Sequence, residues 1–148
     1  MTRKSFSLAT IGLKELDSWC LVDTFCNSLK FIKSNKEKYW DFIKRLIDSD
    51  NEFIIRTGYV MILNYYLEDK YIDEVINFCL KSSDFYYVNM AIAWLISEIF
   101  IKYPERIEEL LKTKKLCEFV QNKAIDKIND SYRVLKEIKV RLRELKYF

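Results

Sequence analysis

The chain has 148 residues, which suits one domain or a stack of repeats but not two independent cores. Half the residues are hydrophobic and 32% are charged, the profile of a folded chain rather than a disordered one. Two glycines and one proline are too few for an all-β sandwich, and with no histidine every Ser-His-Asp or Cys-His mechanism and every His-ligated metal site is excluded.

The punctuation predicts about eight helices. A short helical turn before Gly12 is followed by a helix capped at Asp17 or Ser18 and running to about Ile32. Asn35 precedes the next, which ends near Asp48. Ser49 or Asp50, with Glu52 close behind, opens a helix to about Leu67. Others are predicted from Asp69 to Leu80 and from Asp84 to Tyr103. Pro104 sits where proline is tolerated, at the first position of a helix ending near Lys112. The last two span roughly Lys115–Asp130 and Leu135–Tyr147. Trp40, Ile43 and Ile47, with Lys36 one turn earlier, follow helical spacing, as do Tyr71, Val75 and Phe78. Long helices joined by short polar turns imply antiparallel neighbours.

An internal repeat underlies this order. Arg56-Thr57-Gly58, Asn89-Met90-Ala91 and Asn122-Lys123-Ala124 align at a constant offset of 33 residues, each with a polar residue followed two places on by a small one. One step back from Arg56 is Asp23. Positions 23, 56, 89 and 122 are therefore equivalent sites in about four successive helical hairpins, the pattern of an α-solenoid. Four polar residues in apolar surroundings must hydrogen-bond one another or face a ligand groove.

Four cysteines, Cys20, Cys26, Cys79 and Cys117, form no CxxC pair, so neither a zinc knuckle nor a thioredoxin motif is supported. No secretory signal is evident at Met1–Ser7, and a reduced cytoplasmic setting with the thiols as small core residues is expected. The longest apolar stretch, Phe85–Ile101, is interrupted by Asn89, Ser97 and Glu98, so it reads as a buried helix and not a membrane span. Residues 1–111 carry 14 basic and 17 acidic side chains, and residues 112–148 carry 11 and 5. A basic C-terminal third suits a polyanionic partner, although a solvated Lys-rich surface has the same composition.

Trp19 and Asp23 are four residues apart and share a helix face, with Trp94 five residues after Asn89. Core packing is the alternative use of each tryptophan, and a pair with Arg56 is the alternative use of Asp23. The segments DSWCLVDTF, EFIIRTGYVMIL, FYYVNMAIAWLISE and NKAIDKINDSYRV resemble the DNA alkylation repair family, the AlkD-like DNA glycosylases of HEAT-like repeats. The resemblance spans about Asp17–Leu145.

That resemblance implies a right-handed HEAT-like solenoid of antiparallel helix pairs, spanning residues 1–148 as one domain. It implies binding of duplex DNA and excision of alkylated purines of the 3-methyladenine and 7-methylguanine type, without metal or cofactor. Asp23 matches the catalytic carboxylate, Trp19 and Trp94 the aromatics flanking the deoxyribose, and Arg56 an arginine on the DNA backbone. Lys123 and Lys127 on the last inner helix, with Asn89, complete the expected DNA contacts. A basic residue is common in the family at the Asn89 position and after the Trp94 segment, where this chain has Asn89 and Ser97, so weaker phosphate binding is expected. Members usually carry further repeats before the Trp-x-x-x-Asp helix, whereas about sixteen residues precede Asp17 here. A fragment or a short paralogue fits that difference, with self-association through an open N-terminal end as a consequence. The competing readings are a non-catalytic DNA- or protein-binding solenoid and a module that docks another chain.

Overall fold

A computed structural model describes residues 17–81 and 83–148. The turn expected before Gly12 lies outside the described residues. Those residues are helical, with no strand among them, and they fall into two compact units divided between Tyr66 and Leu67. No described helix is long and apolar enough to cross a membrane.

The first unit holds α1 (Trp19–Ser28), a 3-10 turn (Lys30–Ser34), α2 (Lys36–Ile47) and α3 (Glu52–Tyr65). Ser18 caps α1, its hydroxyl accepting from the Leu21 amide at 3.2 Å. The helix expected to reach Ile32 stops at Ser28. There the Ser28 hydroxyl donates to the Phe25 carbonyl at 2.6 Å, and the Leu29 amide bonds back only to Cys26. Such local side-chain bonds compete with the helical ladder and tighten its last turn. Asn51, just beyond the expected Ser49 or Asp50, caps α3 by accepting from the Phe53 and Ile54 amides at 3.0 and 3.2 Å. Both α1 and α2 pack on α3, which is buried from Ile55 through Ile62.

Gly58 explains how closely α2 and α3 approach. A Cβ at Gly58 would lie 2.8 Å from Ile47 Cγ1 and 3.3 Å from the Ile47 nitrogen. Glycine inside a helix costs about 0.5–1 kcal/mol relative to alanine. The close packing of the end of α2 on α3 offsets that cost.

The second unit holds α4 (Ile72–Cys79), α5 (Tyr86–Lys102), α6 (Pro104–Lys112), α7 (Glu118–Asn129) and α8 (Lys136–Arg143). Pro104 is at the first turn of α6, as expected. Helix α5 is the centre. It is apolar nearly all round, with Val88, Ala91, Ile92, Leu95, Ile96 and Ile99 buried, and α4, α6 and α7 pack against it. Ala91 and Ala124 are buried on the two helices that meet most extensively, the role expected of the small residues. Leu142 is the buried residue of α8. Polar contacts fasten the rest of that end. Arg141 forks onto Glu108 at 2.8 and 2.9 Å, Lys146 pairs with Asp126, and the buried Gln121 amide donates to the Leu111 and Leu145 carbonyls at 2.9 and 2.7 Å. Lys114, in the left-handed region at φ 55°, ends the α6 segment and lays its ammonium 4.4 Å from the Tyr147 ring centroid.

Among the described residues, three ion pairs span the 33-residue offset. Asp23–Arg56 in the first unit, and Asp73–Arg106 and Glu108–Arg141 in the second, each join residues 33 apart.

The expectation that all thiols are core residues fails for Cys20 and Cys117, which are exposed, whereas Cys26 and Cys79 are buried. The exposed pair lies at the first turn of α1 and at the start of α7, where one side of the chain faces solvent. Burial pushes the Cys26 and Cys79 thiols up, which keeps them protonated and inert. An aromatic disulfide reagent at neutral pH is expected to titrate two thiols in the folded protein and four in denaturant. Four fast thiols before unfolding would contradict the burial. Replacing Gly58 with alanine is expected to destabilise the protein by about 1–2 kcal/mol, the overpacking cost exceeding the helix-propensity gain. A urea midpoint unchanged or raised in Gly58→Ala would show that Ile47 moves aside freely.

Candidate functional site

Asp23 is the fifth residue of α1 and Arg56 the fifth of α3. Arg56 Nε donates to Asp23 Oδ1 at 3.2 Å and Nη2 to Oδ2 at 3.0 Å. The arrangement is a two-pronged, charge-assisted pair. Arg56's side chain is 7% exposed and Asp23's 25%. The guanidinium expected on a DNA phosphate is thus turned onto Asp23 beneath the surface, and the carboxylate keeps one side toward solvent.

Further bonds hold α1 against α3 around this pair. The Tyr65 hydroxyl donates to the Cys26 carbonyl at 2.7 Å, and the Cys26 thiol lies 3.6 Å from the Thr57 carbonyl. Burial, followed by the nearby Asp23 charge, is what raises the Cys26 thiol. Trp19, one helical turn before Asp23, is 50% exposed and so is not a core residue. A solvent-facing indole and a braced carboxylate therefore lie on one helix. The carboxylate offers fixed negative charge, and the indole offers an aromatic face for a cationic group.

The other expected residues lie in the second unit. Trp94 and Lys127 line one groove of about 430 Å³, together with Ser97, Glu98, Tyr132 and Arg133. Trp94 is partly exposed, so neither candidate tryptophan is fully buried. Lys123 and Lys127 are partly exposed on α7 and carry no ion pair to another described residue. The Asn89 amide donates to the Ser83 carbonyl at 2.8 Å, while its buried Oδ1 lacks a hydrogen-bond partner among the described residues. Asn122 exchanges two bonds with the Tyr147 backbone, at 3.0 and 2.8 Å. Of the four polar positions 33 residues apart, Asp23 and Arg56 satisfy each other, Asn89 bonds to the nearby Ser83 carbonyl, and Asn122 bonds to the Tyr147 backbone beyond α8.

Two pairings escaped the sequence reading. Arg133 Nη2 donates to Glu98 Oε1 and Oε2 at 3.0 and 3.3 Å within the Trp94 groove. Tyr86 and Phe119, 33 residues apart, bring their ring centroids to 5.8 Å on the second unit. The repeat offset predicts the aromatic pair. Arg133 follows the α7 turn and lies 35 residues from its partner, so the same arithmetic misses it.

A family model described as DNA alkylation repair enzyme matches residues 2–128. The chain therefore belongs to that family, which makes it an enzyme of DNA repair with DNA as its substrate. Neither the curated proteins nor the solved structures contain a match. Among the described residues no group of histidine, cysteine, aspartate or glutamate side chains is placed to hold a metal ion.

Replacing Arg56 with methionine leaves the Asp23 carboxylate half-sheltered without this guanidinium. The expected loss of stability is about 1–3 kcal/mol, below the range of a fully buried pair because Asp23 is part-exposed. Urea unfolding of Arg56→Met, Asp23→Asn and the double variant tests it. Additive losses would mean that the fork contributes no coupling.

Proposed function

We propose that the protein is a DNA glycosylase that removes alkylated purines by hydrolysing the N-glycosidic bond, with Asp23 as its catalytic carboxylate. The observation that carries this reading is the braced, part-exposed Asp23 carboxylate one helical turn from the exposed Trp19. Purines alkylated at N3 or N7 are cationic and already good leaving groups. Such a reaction needs little acid catalysis at the base. It needs an anion beside the sugar as oxocarbenium character develops, and a group that positions water.

Asp23 fills both roles. Its charge opposes the developing cation, and the lone pairs that the fork leaves on its part-exposed side orient the attacking water. Arg56 acts as a positioning residue. Its fork fixes the plane of the carboxylate, so little reorganisation accompanies the reaction. The exposed Trp19 face serves the cationic sugar, contributing about 0.5–2 kcal/mol, and the family resemblance gives Trp94 the second aromatic role. Lys123 and Lys127 supply charge for phosphates. Neither metal nor organic cofactor enters this chemistry.

A non-catalytic DNA- or protein-binding role is the competing reading. What favours it is that Arg56 occupies both Asp23 oxygens, which also suits a purely structural brace.

Single-turnover release of base from duplex DNA carrying 7-methylguanine or 3-methyladenine separates the two. Asp23→Asn is expected to slow release by about 100-fold or more. Its DNA affinity should stay within about threefold of wild type, because no phosphate contact is removed. Equal release rates for the two proteins would sink the assignment of Asp23. No release from either, with salt-sensitive binding intact, would favour the binding role.

A further inference from the structure

The groove in the second unit combines an aromatic wall with two cations. Trp94 comes from α5, Lys127 from α7, and Tyr132 and Arg133 from the segment between α7 and α8. Its volume of about 430 Å³ falls within the range of small-ligand sites, roughly 300–1,000 Å³. Two carboxylates, Glu98 and Asp130, also line it. They are not equivalent. Glu98 accepts from Arg133 through both oxygens, whereas Lys127 and Asp130 have no ion-pair partner among the described residues.

The Glu98–Arg133 pair lies at the solvent side, with side chains 30% and 56% exposed. An ion pair of this kind is weak and easily exchanged. A carboxylate accepting from a guanidinium through two oxygens also presents the pattern that a phosphodiester presents through its two free oxygens.

We propose that this groove seats one phosphodiester of the DNA strand and that Glu98 is a built-in competitor for it. In the bare protein Glu98 holds Arg133. When a phosphate enters between Arg133 and Lys127, Arg133 transfers its Nη2 donor from carboxylate to phosphate, and the attached sugar or base lies against Trp94. The protein thereby gives up affinity for any DNA in exchange for a pre-aimed arginine. This inference rests on the DNA-binding part of the function proposed above and is independent of whether Asp23 is catalytic.

Fluorescence anisotropy with an unmodified 20-base-pair duplex across a salt series tests it. Glu98→Gln is expected to tighten binding about three- to tenfold. Its salt slope should steepen, by at most about one phosphate contact. Arg133→Gln should weaken binding by a similar factor and flatten the slope. The double variant should match Arg133→Gln alone, because Glu98 acts only through Arg133. All four residues involved reach solvent, and matching melting curves verify that the variants fold.

Unchanged or weaker binding by Glu98→Gln would overturn the proposal. So would a double variant that still binds more tightly than Arg133→Gln, since the glutamate would then be acting as a general repulsive charge. Lack of detectable duplex binding by wild type at low salt overturns it as well. Base release is scored separately at saturating protein. Release that depends on Asp23, with no response to Glu98→Gln, sinks the groove assignment alone. The predicted binding pattern without release sinks the glycosylase assignment alone.

Discussion

The fork between Arg56 and Asp23 is the constraint on which the first unit's chemistry depends. Two opposite charges removed from bulk water are costly to hold separately, and each is the other's compensation. The fork also fixes the register of α1 on α3. Without it α1, a ten-residue helix with Val22 and Cys26 as its buried residues, would have little apolar surface to hold it. Tyr65, Cys26 and Thr57 add hydrogen bonds around the same contact, so the orientation of Asp23 follows from the packing of the whole unit. A group whose charge must be in place before a transition state forms is suited to such a mounting.

The second unit solves a different problem. Its centre is an apolar helix, and its polar side chains gather where α5 and α7 reach the segment before α8. Opposite charges are mixed there, so the groove does not repel anions strongly or attract them indiscriminately. The family places the enzyme on DNA. An exchangeable pair such as Glu98–Arg133 suits a protein that must scan many phosphates before it meets a damaged base.

Much of this was legible in the sequence because helical proteins keep time. The offset of 33 identified positions 23 and 56 as equivalent, and opposite charge at neighbouring equivalent positions implies a pair. Pro104 marks its helix start correctly because its ring leaves few alternatives. The early end of α1 was not legible, since it depends on Ser28 and Asn35 bonding to nearby carbonyls instead of leaving them to the helix. Nor was the fate of Asn89 and Asn122, whose partners are backbone groups that carry no sequence signature. Glu98 and Arg133 meet through a turn, and turns break the count. Exposure was also hard to read: an aromatic residue in an aromatic-rich chain suggests the core, yet Trp19 faces solvent.

The polar fastening of α8 has a thermodynamic consequence. Apolar burial is what gives unfolding its large heat-capacity change, and α8 buries little beyond Leu142. Its attachment through Arg141, Lys146 and Gln121 therefore adds little curvature to the stability of the unit with temperature. It adds sensitivity to ionic strength instead, because exposed ion pairs are screened while the core around α5 is not. Salt therefore loosens the helix that carries much of the positive charge at this end of the unit.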